Sequence, residues 1–412
     1  MKPNFRNQTV WTGDCLDIMR GTNSECVDLI CLDPPFNSNA NYAAPIGSQA
    51  AGAEFKDTWT LSDIDAEWIN LIESKHAGLH RVLLAAMTDS DKSYLVYMAV
   101  RLLEMRRILK PTGSLFLHCD PTMSHYLKLV MDAIFGRGNF RNEIIWHYSG
   151  WNKQLKAHIE RRHDVILFYS KADGAVFNPP ARTWESKEEY IKVRKQKVRV
   201  DEDGREYVLS DGGGGRRARR YLDEAMRYGI PLDDVWDIPK LNNSDKERTG
   251  YPTQKPLALY RRLIAAGSDE GALVLDPFCG CATTCIAAQG MGRQWVGIDV
   301  AGKATELTKL RLREELGLFS NPIHRADMPR RTDLGGLPRP ASHKKALYGE
   351  QAGNCAGCGE HFQSQRLEVD HIIPRSKGGT DHSENLQLLC GSCNRIKGNR
   401  GMEYLRVKLQ LR

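Results

Sequence analysis

Short apolar runs alternate with amphipathic stretches along most of this chain, and that alternation sets the expected architecture. Val27 to Leu32 is a β-branched and aliphatic run stopped by Pro34 and Pro35, which reads as a buried strand. From Tyr94 to Lys110, Leu95, Met98, Leu102, Met105 and Leu109 recur at helical spacing, and Pro111-Thr112-Gly113 ends the pattern. Residues 114–119 then read as a strand, with Asp120-Pro121 as cap and first residue of a helix reaching about Phe135. Further strands are predicted over 143–146, 164–169, 272–276 and 294–299. Helices are predicted over 257–267, after the turn at 277–284 to near Gly290, and over 305–315. Strands alternating with helices predict an α/β fold, a mainly parallel Rossmann-like sheet with helices on both faces.

Three stretches break the pattern. Residues 37–73 are rich in Gly, Ala, Ser and aromatics and read as a long loop with local helix, folded over the end of the sheet. Between Ser170 and Asn243 the period is lost, and Glu189 to Arg220 is dense in Lys and Arg, with Tyr190, Tyr207 and Tyr221 in or beside it and a flexible run at Gly212–Gly215. It reads either as an insertion-tolerant surface loop or as a segment contacting phosphates and base edges. Residues 322–345 are polar, Pro- and Arg-rich and without period, and read as a linker. The expected division is therefore 1–321, a linker at 322–345, and a small unit at 346–412.

Composition narrows the class. A chain of 412 residues exceeds what one core usually serves, and 41% hydrophobic with 26% charged residues is ordinary for a soluble protein. The net charge of +7 is compatible with a polyanionic partner. Met1–Arg6 lacks the apolar core of an export signal, and no apolar stretch approaches the roughly 18 residues that span a bilayer. The expectation is a cytoplasmic chain with no membrane partner, its 11 cysteines reduced or metal-bound.

Candidate chemistry begins at strand ends. Asp33 closes the first strand and is followed by Pro34, Pro35 and Phe36, an acceptor-rich turn beside a flat apolar face. That suits a planar group carrying an exocyclic amine. Asp276 closes a second strand, and Asp276 through Thr284 reads as a strand end, a tight turn containing Phe278 and Gly280, and a helix N-terminus, which lets a ligand approach the backbone. Asp299 ends the following strand, where an acid can accept from both ribose hydroxyls. Cys281 interrupts the full dinucleotide fingerprint, so no glycine pair cradles a pyrophosphate. A nucleoside cofactor without pyrophosphate fits, and S-adenosyl-L-methionine is the candidate.

Together, "DPPF" at 33–36, "YPTQKP" at 251–256, "LDPFCGCATT" at 275–284 and "GID" at 297–299 resemble the beta group of DNA amino-methyltransferases, over about residues 8–320. The resemblance implies that Asp33, helped by the Pro34 carbonyl, accepts from the target amine while Phe36 stacks on a base flipped from double-stranded DNA. It further implies a cofactor site of Asp276, Phe278, Gly280 and Thr283, with Asp299 on the ribose, Asp14 near the adenine and Lys255 near the methionine end. An Asp-first tetrapeptide favours adenine N6 over cytosine N4, and residues 170–250 become the target-recognition segment. A homodimer is one assembly open to such a chain.

Near the C-terminus, Cys355-x-x-Cys358 and Cys390-x-x-Cys393 form two knuckles whose thiolates suit tetrahedral zinc, a staple that a unit of about 65 residues needs. The segment between them, with Asp370-His371 and Asn385, together with Asn394 just after the second knuckle, resembles an HNH endonuclease, a small zinc-stapled ββα-metal domain. By that resemblance Asp370 and Asn394 bind a Mg²⁺ or Mn²⁺ ion, His371 activates water, and Asn385 orients the His371 loop. His361 and His382 read as structural and surface residues. The combined expectation is an adenine-N6 methyltransferase fused to a nuclease in a restriction–modification role. The alternative is a cytosine-N4 enzyme whose zinc module only binds DNA.

Overall fold

The computed structural model describes the chain except residues 39, 46–47, 52–53, 62–67, 70–71, 74, 151–154, 228, 243, 317–321, 330, 334–339, 378, 380, 382–384 and 410–412. His382 thus lies outside the described residues. Eighteen strands are present among them. The first seven are β1 (Thr9–Thr12), β2 (Val27–Leu32), β3 (Ala40–Ala43), β4 (Glu54–Asp57), β5 (Leu109–Cys119), β6 (Phe140–His147) and β7 (His163–Ser170). The basic segment holds β8 (Ala181–Arg182), β9 (Arg199–Val200), β10 (Glu206–Asp211), β11 (Arg217–Tyr221), β12 (Ile230–Pro231) and β13 (Val235–Asp237). The last are β14 (Leu273–Asp276), β15 (Gln294–Asp299), β16 (Ile323–Arg325), β17 (Leu367–His371) and β18 (Leu386–Cys390).

Nine strands form one sheet in the order β13-β6-β7-β5-β2-β14-β15-β1-β16. Only β7 runs antiparallel to its neighbours, so the predicted mainly parallel sheet is present. The alternation of β2 explains why its sequence is almost continuously apolar: both faces are covered. Val27, Ile30 and Leu32 pack with helices Ala77–Leu84, Asp89–Ile108 and Ser124–Phe135. Leu29 and Cys31 pack on the other face with helices Leu257–Gly267 and Thr283–Gly290.

Differences from the predicted elements have local causes. The long helix begins at Asp89 rather than Tyr94, because Thr88 accepts from the Asp91 N–H and caps it. The helix ends at Ile108, before Pro111-Thr112-Gly113, which lies inside the strand that has started at Leu109. The register of β2 against β5 jumps between Val27–Leu109 and Leu29–Ser114, and this irregularity accommodates the proline. In the loop over 37–73, β3 and β4 form a hairpin. The basic segment is not a bare loop: it carries the sheet β11-β10-β9, the pair β12-β8 and a core of Trp184, Tyr190, Val208, Leu222 and Ala225.

The linker expected over 322–345 is corrected in its first part. Ile323–Arg325 adds to the edge of the main sheet beside β1. Trp11 Nε1 donates to the Asp327 carbonyl at 3.0 Å, and Asn23 Nδ2 donates to Thr332 Oγ1 at 2.8 Å. Arg331 and Asp333 pair at 2.8 Å, with side chains 9% and 3% exposed, and the Ser24 N–H donates to Asp333 at 2.8 Å. A proline- and arginine-rich composition hides such a strap because its partners are far away in sequence. Helix Pro340–Glu350 then enters the C-terminal unit, whose core (Leu347, Leu367, Leu386, Leu388, Leu389, Met402, Leu405) is its own.

Replacing Asp333 by Ala leaves Arg331 buried without its partner and is expected to destabilise the first unit by about 1–3 kcal/mol. Urea unfolding checks this, and an unchanged midpoint means that 322–333 is a loose tether after all.

Candidate active sites

Parallel strands expose their C-terminal ends on one edge, and the three acids predicted from sequence all lie there. β2 and β14 are direct neighbours (Leu29 opposite Val274, Ile30 opposite Leu275), so Asp33 and Asp276 stand side by side, with Asp299 one strand further. A cavity of about 580 Å³ opens above them. It is lined by Asp14, Asp33, Pro34, Pro35, Phe36, Lys255, Asp276, Phe278, Gly280, Thr283 and Asp299, so every methyl-transfer residue predicted from sequence meets in one place.

The turn after β14 is built for close approach. Gly280 has φ +47°, and a Cβ there would meet the Tyr251 ring at 2.9 Å. Its N–H donates to Asp299 Oδ2 at 2.8 Å, and the Ala301 N–H donates to Oδ1 at 2.8 Å. The Asp299 carboxylate is thereby aimed before any ligand arrives. Burial pushes its pKa up, against the pull of those two backbone donors. Asp276 Oδ1 accepts from the Phe278 N–H at 3.0 Å and Oδ2 from the Thr284 hydroxyl. Burial dominates here, and its carboxyl is pushed up to about 7. Cys281 is buried, and Arg311 Nη1 donates to its carbonyl at 2.7 Å and to Thr283 Oγ1 at 3.0 Å.

Asp14 caps helix Cys15–Arg20 through the Leu16 N–H, and both its oxygens accept from Arg101 Nη2 at 2.8 and 2.7 Å. Lys255 has a partner that the sequence reading did not give it: its Nζ donates to Asp33 Oδ2 at 2.6 Å and lies 5.0 Å from the Phe36 ring centroid. Behind Asp33, and missed entirely, is His118 on β5. Its Nδ1 faces Asp33 Oδ1 at 3.5 Å and its Nε2 lies 3.1 Å from Asp164 Oδ2. Tyr148 donates to Asp164 Oδ1 at 3.0 Å. Burial raises the Asp164 carboxyl, but the hydrogen bond and charge of His118 outweigh it and hold the group at about 2. His118 sat in an apolar strand run, where one sequence gives no signal beyond a lone polar residue.

In the C-terminal unit, β17 pairs antiparallel with β18 and helix Gly391–Lys397 comes next, a ββα order. The sulfurs of Cys355, Cys358, Cys390 and Cys393 all lie within 4.8 Å of one another. The Gly357 and Cys390 N–H groups donate to Cys355 Sγ and the Cys393 N–H to Cys390 Sγ, the geometry of two knuckles facing one centre. Asn385 exchanges two hydrogen bonds with the Ile373 backbone, at 2.9 and 3.0 Å, and so pins the turn after His371. Asp370 Oδ2 accepts from Lys397 Nζ and Gln387 Nε2, each at 3.0 Å. Asn394 Nδ2 donates to Glu368 Oε2 at 2.6 Å. Asp381 (2.6 Å from His371 Nε2), the fully buried Lys397 and Glu368 are three polar partners that sequence reasoning did not find.

Against known proteins, a family profile described as DNA methylase matches residues 27–310, more than half of the chain. The chain belongs to the N6/N4 DNA methylase family. A second profile, HNH endonuclease, matches residues 355–400, so the C-terminal unit is an HNH domain. Among relatives, the type II methyltransferase M.EcaI of Enterobacter cloacae is 28% identical over 251 residues, covering 51% of this chain and 55% of that protein. DNA adenine methyltransferase YhdJ of Escherichia coli is 25% identical over 306 residues, covering 74% of this chain and 82% of its own length. The solved PvuII DNA methyltransferase, cytosine-N4-specific, aligns with 14% identity and a TM-score of 0.41 over 77% of this chain and 96% of that one. No helix among the described residues is long and apolar enough to cross a membrane.

The buried acid of this cavity has a measurable signature. The folded-state pKa of Asp276 lies above its ordinary 3.8, so its contribution to stability is present at low pH and is lost as pH rises through about 7. Asp276→Asn keeps an acceptor for Phe278 and a donor for Thr284. It is expected to stabilise the ligand-free chain by about 1–2 kcal/mol at pH 8 and hardly at pH 4, read as thermal midpoints across that range.

Proposed function

We propose that this chain methylates adenine N6 in double-stranded DNA, using S-adenosyl-L-methionine, and that its HNH domain cuts DNA in a restriction–modification role. The observation that carries the reading is the shared cavity in which the Asp33 turn faces Asp276 and Asp299. The donor set fits that cofactor. The glycine approach at Gly280 admits a nucleoside, the pre-aimed Asp299 carboxylate suits two ribose hydroxyls, and nothing in the turn is a pyrophosphate cradle. Asp276, desolvated, gains most from a cationic group such as an amino acid ammonium. When bound, the cofactor supplies an electrophilic methyl group.

The chain's own residues do the rest. Asp33 accepts from the target amine, with the Pro34 carbonyl as second acceptor, and the nitrogen lone pair is thereby turned toward the methyl donor. Phe36 stacks on the extruded base, offsetting an unstacking cost of a few kcal/mol. Lys255 neutralises the far side of the Asp33 carboxylate, and His118 with Asp164 backs the other side. The exposed Arg216, Arg217 and Arg219, around the tight turn that joins β10 to β11, supply phosphate and groove contacts for residues 170–250 as the recognition segment.

The four clustered thiolates fit a structural zinc ion. Asp370, whose Oδ2 is held by Lys397 and Gln387, and Asn394, whose Nδ2 donates to Glu368, would hold a hard ion such as Mg²⁺ or Mn²⁺, and His371, on the turn that Asn385 pins, would activate water. The joint presence of Asp370, His371 and Asn385 favours a cutting domain over one that only binds, since binding alone needs none of them.

Single-molecule sequencing of DNA from a methylation-free host that expresses the chain decides the base and the site. N6-methyladenine at one motif is expected, and its loss in Asp33→Ala by at least about 100-fold. Marks on cytosine N4 would move the reading to the other base, and no mark at all would end it. With supercoiled DNA and Mg²⁺ or Mn²⁺, His371→Ala is expected to lose cleavage while retaining methylation. No cutting by the unsubstituted chain overturns the nuclease assignment.

A further inference from the structure

One carboxylate outside all the predicted site residues holds the turn that carries the amine acceptor. Asp57, the last residue of β4, is 1% exposed. Its Oδ1 accepts from the Asn37 N–H at 2.7 Å and from Trp59 Nε1 at 3.2 Å. Its Oδ2 accepts from the Ser38 N–H at 2.7 Å and the Phe36 N–H at 3.2 Å. Three successive backbone donors converge on this side chain because Asn37 adopts a left-handed conformation, φ 59°, which curls the chain into a nest. The side chain of Asn37 is held in turn: its Nδ2 donates to Asp91 Oδ1 at 2.8 Å, and Ser90 Oγ donates to its Oδ1 at 2.9 Å.

The same carboxylate reaches the opposite wall of the cavity. Trp59 packs 4.6 Å from Tyr97 and 5.4 Å from Tyr94, and Trp59, Tyr97 and Phe278 line the cavity. Arg101, which holds Asp14, lies over the Tyr97 ring at 3.4 Å. A single buried charge thus joins the backbone at 36–38 to the aromatic side of the cofactor cavity.

We propose that Asp57 is a positioning residue for methyl transfer: it fixes the Pro34-Pro35-Phe36 turn and couples that turn to occupation of the aromatic wall. The proposal rests on Asp33 being the amine acceptor. An Asn at position 57 turns one acceptor into a donor facing two N–H groups, and the turn has to open to relieve the clash of donors. The Pro34 carbonyl and the Phe36 ring then leave their places, and a displacement of about 1 Å at such groups costs roughly 100-fold in rate.

Three variants of the full chain test this: Asp57→Asn, Asp57→Glu and Trp59→Phe, which keeps a ring but removes the Nε1 donor. Asp57→Asn is expected to lower kcat about 100-fold. Its affinity for S-adenosylhomocysteine, by calorimetry, falls by no more than about tenfold, because Asp276, Gly280 and Asp299 keep their places while Asp57, Pro34 and Phe36, which also line the cavity, do not. Its amides at 36–38 exchange hydrogen at least about tenfold faster than in the parent. In the parent, S-adenosylhomocysteine slows exchange at those amides, and Trp59→Phe loses that response. A kcat within about threefold of the parent in both Asp57 variants, with unchanged exchange, overturns the proposal. Should Asp57→Asn not fold, a Trp59→Phe chain that keeps the full exchange response overturns the coupling. A parent that methylates no DNA sinks the amine-acceptor reading alone, and the exchange data still decide whether Asp57 holds the turn.

Discussion

The pairing of β2 with β14 at the centre of the main sheet is the constraint on which the proposed methylase site depends. These strands come from opposite ends of the domain in sequence, and their parallel register brings Asp33 and Asp276 to one edge. Both strands are buried on both faces, so their position is fixed by two packed layers of helices rather than by hydrogen bonding alone. A slip of one residue would turn each strand's side chains to the wrong face and move both acids away from the cavity. The chemistry is held as rigidly as the core.

Around that edge three carboxylates share a poorly solvated space, and each is managed differently. Asp33 is matched by Lys255 and backed by His118. Asp299 is held by two backbone N–H groups, which orient it without cancelling its charge. Asp276 has hydrogen bonds but is left so desolvated that its carboxyl sits at about 7. The cavity is therefore a site whose own acids are satisfied best when a cation and several hydroxyl or amine donors enter it. Asp57 completes the set from behind the turn, a fourth acid devoted to backbone geometry.

The C-terminal unit solves a different problem. Its core is small, and the four clustered sulfurs are placed where a metal ion could cross-link it. Lys397 lies fully buried between the Asp370 carboxylate and the His371 carbonyl, which it reaches at 2.7 Å, so helix Gly391–Lys397 and the β17–β18 hairpin are tied together there. The strap at 322–333 belongs to the sheet of the first unit, and the second unit begins with helix Pro340–Glu350.

By itself, the sequence determined six of the main sheet's nine strands (β2, β5, β6, β7, β14 and β15) and most of its helices, because apolar periodicity and Pro or Gly stops are local properties. It also determined which acids stand at strand ends and which cysteines pair into knuckles, since strand ends and C-x-x-C turns are short-range features. Only the tertiary structure decided the partners that join residues distant in the chain: Lys255 on Asp33, His118 and Asp164 behind it, Asp57 under the turn, and β16 on the sheet edge. Each of these is a contact closed across the fold, and a polar residue in an apolar run or a loop looks the same in sequence whether or not a partner waits for it. Periodicity encodes which face is buried. It does not encode which buried charge meets which, and that is settled only when the strands are in register.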